Sequence, residues 1–251
     1  MSDKCLDRNA NYGIFSGLSA LPGPQPLHSR SARTPAAVLQ SLPLLCLQGR
    51  VALIMKNQTI WNNILDIISQ SKKSVKIFDG NILNGEKKFN QLGLQNQKAL
   101  ESIIVNCSGI CVDNWIRIYG QNQNFKIEHK MTNDMIIIGQ DIVGGIFSIN
   151  AADGNKIYYF APDNLQWESM DMTYSEFISW TMMGDIDGFY STMRWKNWKN
   201  DCKEVDFDKM IMLYPFLWAK ECNIETASKK TVSSKELMEL NLDTALKFDG
   251  M

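Results

Sequence analysis

The chain has 251 residues, of which 45% are hydrophobic and 10% aromatic, enough to bury a full core in one large domain or two small ones. Its 26 basic and 27 acidic residues leave a formal net charge of -1. Proteins that bind nucleic acid usually carry a basic excess or a basic stripe, so this balance argues against nucleic acid as a partner.

A membrane span and a disulfide framework are both unexpected from this sequence. The longest apolar run after Met55, MIIIGQDIVGGIF, is interrupted by Gly139, Gln140 and Asp141 and falls short of the roughly 18 apolar residues that a transmembrane helix needs. The six cysteines are too few and too scattered for a small secreted domain. We therefore expect a soluble, cytoplasmic protein with reduced thiols and no membrane partner.

Residues 1–54 differ in composition from the rest of the chain. They hold four of the six arginines and five of the seven prolines, whereas all seven tryptophans come later. The apolar run after Arg33 would suit a targeting segment, but Pro43 interrupts it and no small-x-small cleavage site follows. We predict that residues 1–54 are a disordered leader, or upstream sequence translated from a start codon assigned too early, and that residues 55–251 form a single domain.

The first elements after the leader are predicted to be a helix, a short strand and a second helix. Residues 59–71, TIWNNILDIISQS, space their apolar side chains at helical intervals behind Thr59, which would cap the helix. Residues 74–80, SVKIFDG, alternate between polar and apolar side chains, which predicts a short strand that ends at an Asp-Gly pair. Residues 94–106, LQNQKALESIIVN, predict a helix that continues into an extended segment.

Three runs rich in Ile, Val, Tyr and Phe come next and predict half-buried strands. They are GICVDNWIRIYG, DMIIIGQDIVGGIFSIN and KIYYFAP. The turn AADGN predicts a hairpin, and Pro162 ends the last strand because proline has no N–H to donate to a sheet. We interpret the glycines of GQDIVGG as relief for a bend or bulge between strands.

A capping box marks the start of the next helix at Tyr174. Thr173 and Glu176 have the types and the spacing that let each side chain bond the backbone N–H of the other. Gly184 is predicted to end this helix in a left-handed conformation. Asp185, or the aspartate two residues later, would cap a further helix through FYSTMR.

The end of the chain predicts two more elements. Residues 210–218, MIMLYPFLW, suit an edge strand or a short extended run because a proline lies within them. Residues 231–241, TVSSKELMELN, predict a short amphipathic helix that Ser233 or Ser234 would cap.

No familiar arrangement of metal, nucleophile or phosphate-binding residues occurs in the sequence. Cys107 and Cys111 are the only close thiols, they lack a second pair, and His129 is the only histidine beyond the leader. No G-x-S-x-G elbow is present, and the glycines of GQDIVGG are not followed by Gly-Lys-Ser/Thr. We therefore predict no metal, no cofactor and no catalytic residue.

A carboxylate pair is the alternative, and it would make the protein a hydrolase of unknown substrate that uses carboxylates around Asp163 and Glu168. The candidates are Asp163, Glu168, Asp171, Asp185 and Asp187. Several are equally well explained as helix caps or turn formers, and the sequence does not show which of them meet. Their clustering in one pocket would favour the hydrolase, whereas their scattering would favour a binding module.

Residues 189–200, FYSTMRWKNWKN, set two tryptophans three apart among basic residues. Base stacking on Trp195 and Trp198 with Arg194 on a phosphate would suit nucleic acid, and contact with a partner protein is a second interpretation. At about 100° per residue, one continuous helix would place both tryptophans well away from the Phe189 face. We therefore expect the helix to end near Arg194 and the tryptophans to pack onto the sheet from a turn.

Four of these runs, in order, resemble the bacterial family called domain of unknown function 2625. They are VDNWIRIYG, DMIIIGQDIVGGIFSIN, YYFAPDNLQWE and YSEFISWTMMGDIDGFYSTMRWKNW, and the likeness covers most of the chain from Met55 to about Trp218. The order of elements is similar, more weakly, to the SUKH superfamily, which includes immunity proteins against bacterial toxins. That second resemblance implies an α+β domain that binds a protein partner.

Together these observations predict one α+β domain, with a mostly antiparallel sheet packed against several helices in a SUKH-like arrangement, and a protein-binding function. The expected partner is a protein, most concretely a toxin or effector whose site is blocked, and the oligomeric state is left open. Aromatic and arginine side chains are the types that anchor interfaces. The candidate binding residues are Trp115, Arg117, Trp167, Arg194, Trp195 and Trp198.

Overall fold

A computed structural model describes residues 44–249, and within that range the chain forms seven α-helices and nine β-strands. The helices are α1 (Leu44–Gln70), α2 (Ile82–Leu92), α3 (Lys98–Asn106), α4 (Tyr174–Met183), α5 (Ile186–Phe189), α6 (Trp198–Asp201) and α7 (Ser234–Asp249). The strands are β1 (Val75–Asp79), β2 (Cys107–Val112), β3 (Ile116–Tyr119), β4 (Met135–Asp141), β5 (Ile146–Asn150), β6 (Lys156–Ala161), β7 (Gln166–Ser169), β8 (Lys209–Tyr214) and β9 (Ser228–Ser233). Most of the predicted leader lies outside the described residues, and its part from Leu44 onward belongs to α1.

The strands form one large sheet and one small one. Strands β1 to β7 lie in sequence order, and every neighbouring pair is antiparallel. The chain reaches β2 from β1 through α2 and α3, whereas β2 to β7 follow one another without an intervening α-helix. Strands β8 and β9 make a separate antiparallel ladder. The predicted α+β class with a mostly antiparallel sheet is confirmed.

Helix α4 packs against one face of the large sheet, and α1, α3 and α4 contact one another. Phe147 on β5 shows how this face is filled, since its ring centroid lies 5.0 Å from Phe177 and 6.2 Å from Trp180, both on α4. Tyr159 on β6 is the register partner of Phe147 and therefore shares its face, with the two rings 4.9 Å apart. These contacts form the aromatic part of the core.

The opposite face of the sheet is covered by a later part of the chain. Gly139 pairs with Phe147, so the next residue, Gln140, points to the opposite face, as does its register partner Arg117. Both side chains donate to backbone carbonyl groups of residues 205–207. Beyond them, β8, β9 and α7 pack together, and we call these three elements the C-terminal layer.

Several predicted elements appear where the sequence places them. Residues 59–71 lie almost wholly within α1, residues 74–80 contain β1, and α3 runs directly into β2. The AADGN turn joins β5 to β6, and its Gly154 and Asn155 are left-handed, with φ values of 59° and 63°. Strand β6 ends at the residue before Pro162. Local sequence signals therefore predict these elements correctly.

Other predictions are wrong in detail. Thr59 does not cap a helix, since α1 begins at Leu44 and the Thr59 hydroxyl donates to the Met55 carbonyl one turn earlier, at 3.0 Å. Gly184 ends α4 with an extended backbone, φ −72° and ψ 171°, rather than a left-handed one. The helix predicted through FYSTMR is the single turn α5, and α2, α6, β7 and β9 are not predicted at all.

The last predicted helix is present and longer than expected. It is α7, which begins at Ser234 and runs for 16 residues to Asp249. The start of α7 lines a polar cleft, and Phe248 near its end belongs to a row of aromatic side chains. Across residues 44–249, no helix combines the length and the apolar character that crossing a bilayer requires.

Candidate functional site

The MRWKNW stretch folds into an aromatic cluster around Arg194. The ring centroid of Trp115, which follows β2, lies 5.4 Å from Tyr190, 5.9 Å from Trp195 and 5.2 Å from Trp198. The Arg194 guanidinium lies 4.0 Å from the Trp198 centroid and 4.8 Å from that of Trp115, an arrangement that cation–π attraction favours. The predicted internal packing of Trp195 and Trp198 is confirmed, since both are buried.

Arg194 forms an ion pair with Asp187 on the solvent side of the aromatic cluster. The exposed carboxylate of Asp187 accepts a hydrogen bond from Nη1 of Arg194, whose own side chain is only 6% exposed. Burial lowers the pKa of Arg194, and the negative charge of Asp187 acts in the opposite direction. The ion pair therefore joins α5 to the aromatic cluster.

The remaining two predicted binding residues lie outside this cluster. Arg117 is fully buried, and its Nη2 donates to the carbonyl groups of Val205 and Asp206 at 3.2 Å and 3.3 Å. Trp167 is half-buried on β7, with its ring 5.3 Å from Phe160. That the six residues bind a partner stays a prediction. Four of the six are buried in the core, so the exposed surface is built mainly by other side chains.

Three of the five carboxylates that a hydrolase could use have separate partners within the chain. Asp185 caps α5 by accepting from the N–H of Gly188 at 2.8 Å. Asp171 forms an ion pair with Lys156 at 2.7 Å, and Asp187 binds the arginine described above. The other two, Asp163 and Glu168, lie close together near the β6–β7 connection, where burial and then the charge of Glu168 raise the pKa of Asp163. Neither of the two clefts described below is lined by any of the five.

Asp141 is a buried carboxylate that was not predicted as a site residue. Its Oδ1 accepts from the N–H groups of Val143 and Gly145, both at 2.9 Å, and its Oδ2 accepts from the hydroxyls of Tyr159 at 2.6 Å and Tyr190 at 3.2 Å. Burial raises the pKa of Asp141, although all four donors favour its ionised form. The chain itself therefore satisfies both oxygens, and Asp141 holds the GQDIVGG turn in place.

The thiols and the histidine singled out in the sequence have structural contacts. Burial raises the pKa of Cys107 to about 12, and its Sγ donates to the Ile103 carbonyl at 3.3 Å. His129 Nδ1 accepts from the N–H of Met131 at 3.2 Å and so caps a short 3-10 turn. Among residues 44–249, no three His, Cys, Asp or Glu side chains come together in a way that could hold a metal ion.

A cleft with a volume of about 870 Å³ opens beside the start of α7. It is lined by parts of residues 119–128, by Gln140, by Phe207 and Asp208, and by parts of residues 233–239. We call it the polar cleft. Its buried lining includes Tyr119, Gln140, Ser234 and Met238, so that the cleft reaches down to the sheet.

A chain of hydrogen bonds crosses the buried lining of the polar cleft. The Tyr119 hydroxyl donates to Oε1 of Gln140 at 2.7 Å. The Gln140 amide then donates to the Phe207 carbonyl at 3.1 Å and to Oγ of Ser234 at 2.9 Å. Because the Ser234 oxygen accepts this bond, its own proton points elsewhere, and no acceptor for it is found among the described residues.

Charges of both signs line the polar cleft. Lys126 and Lys235 supply ammonium groups, whereas Glu128, Asp208 and Glu239 supply carboxylates. Lys235 and Glu239 lie 3.7 Å apart, as neighbours four residues apart on a helix do. A ligand of one sign alone would therefore meet like charge at the cleft.

A second cleft of about 630 Å³ adjoins the first and shares Lys126, Ile127 and Glu128 with it. His129 lies in its lining, with Nε2 3.4 Å from a carboxylate oxygen of Asp243 on α7. The two atoms are within ion-pair distance but are not aligned for a hydrogen bond. The contact joins the loop before β4 to the middle of α7.

Four aromatic side chains form a surface row at the far end of the C-terminal layer. The ring centroid of Phe216 lies 6.0 Å from Tyr214 and 5.0 Å from Trp218, which is stacked on it, and Trp218 lies 5.6 Å from Phe248. Tyr214 is 66% exposed and Phe248 is 49% exposed. We call these four residues the aromatic row. Three of the four lie in the MIMLYPFLW stretch, for which only a strand or an extended run was predicted.

Comparison with known proteins identifies the family. The profile of the family described as "Protein of unknown function DUF2625" matches residues 51–237. The protein YbfG of Escherichia coli (strain K12) is 27% identical over 207 residues, which cover 75% of this chain and 93% of YbfG. An uncharacterized protein of Haemophilus influenzae is 24% identical over 203 residues, which cover 73% of this chain and 86% of that protein. No solved structure matches the chain. The resemblance stated from the sequence runs is thus confirmed, and the chain belongs to the DUF2625 family.

Proposed function

We propose that this protein is a non-enzymatic module that binds a protein partner in the cytoplasm, and that the partner is a toxin or effector whose activity it blocks. The aromatic row is the observation that carries this proposal. The order of elements, which is similar to that of the SUKH superfamily, supports the same function.

Adjoining aromatic rings at a surface are typical of protein-binding sites. Aromatic residues are enriched among the side chains that dominate binding energy, and contiguous exposed apolar patches are uncommon on monomeric proteins. Two side chains of the row, Tyr214 and Phe248, are exposed. The aromatic row therefore provides an apolar strip for a partner.

Two residues of the aromatic row lie in regular elements, and the other two, Phe216 and Trp218, lie in the connection between β8 and β9. Tyr214 is the last residue of β8, and Phe248 lies in the last turn of α7. The stacking of Phe216 on Trp218 further restricts both rings, whose planes are 12° apart. Side chains already ordered before binding lose little entropy on association, which favours affinity.

The distribution of the carboxylates also supports binding rather than hydrolysis. Asp171, Asp185 and Asp187 each have a separate partner within the chain, as an ion pair or a helix cap. A hydrolase of the predicted kind needs two carboxylates in one pocket with different pKa values. The remaining pair, Asp163 and Glu168, lines neither of the two clefts.

Co-expression with the products of the genes adjacent to its own tests the proposal. The wild-type chain is expected to form a complex with one of these products and to restore growth if that product is toxic. A Tyr214→Ser/Phe248→Ser variant is expected to bind at least about 30-fold more weakly, since loss of interface anchors has effects of this size. The matched control is Leu83→Ser, which removes a 73% exposed apolar side chain from α2.

Two results would contradict the proposal. One is that the wild-type chain gives neither a complex nor rescue with any adjacent gene product. The other is that the double variant binds as tightly as the Leu83→Ser control.

A further inference from the structure

We infer that the polar cleft binds a small zwitterionic ligand of the amino-acid or short-peptide class. This inference goes beyond the proposed function, because the cleft and the aromatic row lie toward opposite ends of α7. Neither site requires the other to be occupied.

The size and the depth of the polar cleft suit a small ligand. Its volume of about 870 Å³ falls in the range of roughly 300–1,000 Å³ that small-molecule sites occupy. Three side chains of its lining, Tyr119, Gln140 and Ser234, are at most 7% exposed, so a ligand reaching them is shielded from water. Such shielding strengthens each polar contact that the ligand makes.

Hydrogen-bond donors at the start of α7 have no acceptor within the described chain. The Ser234 proton is one of them, because the Gln140 amide already uses the serine oxygen as an acceptor and so turns the proton away. Ser234 is 6% exposed and lines the cleft. The N–H group of Lys235, which also lines the cleft, lies in the first helical turn, where no intrahelical acceptor exists. A carboxylate on the ligand would accept from these donors.

The carboxylates of the polar cleft require a positive group on the same ligand. Glu128 and Asp208 are both exposed residues of the cleft lining, and no hydrogen-bond donor to either side chain is found among the described residues. An anion alone would be repelled by them, whereas a cation alone would be repelled by Lys126 and Lys235. An α-ammonium and a carboxylate on one small molecule satisfy both sets. The amide side chains of Asn122 and Gln123 can bond the peptide groups of a longer ligand.

Titration of the full chain with trialanine and with the L-amino acids, followed by amide chemical shifts, tests the inference. At least one probe is expected to shift the resonances of Lys126, Lys235 and Glu236 saturably, with a dissociation constant of about 1 mM or lower. Trialanine amide lacks the carboxylate and N-acetyl-trialanine lacks the ammonium. Each is expected to bind about tenfold more weakly or worse, since each loses a charge-assisted hydrogen bond.

Two variants and one control locate the binding. Ser234→Ala removes the free hydroxyl donor and is expected to weaken binding about tenfold. Ser234→Ala also removes an acceptor of the Gln140 amide. A second variant, Lys126→Ala, therefore removes an exposed side chain of the cleft and retains the fold. Ser175→Ala is the control, since it removes an exposed serine from the first turn of α4, which does not line the cleft.

Two results would overturn the inference. The first is the absence of saturable shifts at the cleft with every probe at about 10 mM, which would mean that the cleft holds only water. The second is equal binding of trialanine and its two capped forms, which would mean that the free charges of the ligand are not recognised. Either result would leave the proposed protein partner unaffected.

Discussion

Asp141 is the side chain on which the centre of the domain depends most. It accepts hydrogen bonds from two backbone N–H groups of its own turn and from two tyrosine hydroxyls on other elements. The residues that carry these four donors are buried with it. Removal of the carboxylate would therefore leave four unsatisfied donors, each with a cost in stability.

Replacement of Asp141 by alanine is expected to lower the free energy of unfolding by about 3–5 kcal/mol, because several buried donors lose their acceptor together. The measurement is urea denaturation followed by fluorescence. Asp66→Ala, which removes an exposed aspartate from α1, is the matched control and is expected to change stability by about 0.5 kcal/mol or less. An Asp141→Ala variant as stable as this control would contradict the role assigned to the carboxylate.

At the residue scale, the sequence predicts those features that depend on residues close together in the chain. The burial of Trp195 and Trp198 could be predicted from helical geometry within one short stretch. The role of Asp141 could not, since its partners Tyr159 and Tyr190 lie 18 and 49 positions away along the chain. Only the register of the sheet and the position of α5 bring these three residues together.

Helix α4 is the element whose start is best defined. The Thr173 hydroxyl oxygen accepts from the N–H of Glu176 at 3.4 Å, and a Glu176 carboxylate oxygen accepts from the N–H of Thr173 at 2.7 Å. The helix then places Phe177 against the sheet. Its capping box therefore sets where an aromatic part of the core begins.

Thr173→Ala is expected to lower the free energy of unfolding by about 1 kcal/mol, since an N-cap hydroxyl contributes about this amount. Thermal or urea denaturation measures it. Ser175→Ala serves as the control within the same turn, because the Ser175 hydroxyl caps nothing. A loss of less than about 0.3 kcal/mol in Thr173→Ala would show that the reciprocal bonds contribute little.

At the element scale, the missed elements carry weaker or mixed signals. Helix α2 does have local markers, since Asn81 caps it and Gly93 ends it with a left-handed φ of 65°. Its polar sequence, ILNGEKKFNQL, obscured its apolar stripe. Strand β7 has four residues, of which only Trp167 is half-buried, so its alternation is too short to recognise.

The whole molecule combines a helix-backed sheet with a C-terminal layer that carries the surface features. Helix α7 has 16 residues and is about 24 Å long, with the polar cleft at its start and the aromatic row at its end. The layer is joined to the rest of the domain by the hydrogen bond from Ile211 N–H to the Ile142 carbonyl and by the bond from the Gln140 amide to Oγ of Ser234.

At the scale of the whole molecule, the resemblance of the sequence runs to known families predicted the family and the fold class. The packing of β8, β9 and α7 into the C-terminal layer was not predicted. The sequence indicates β8 and α7 as separate elements but contains no local signal for their packing. That packing depends on contacts such as those between Gln140 and residues 207 and 234. The SUKH-like partner role stays a prediction from the order of elements.

The central claim is that a protein partner binds at the aromatic row. Hydrogen–deuterium exchange of the purified complex with its partner, compared with the free chain, tests it most directly. The account predicts that exchange slows in residues 210–218 and in the last two turns of α7. Protection confined to residues 189–200, with no change at the aromatic row, would contradict it.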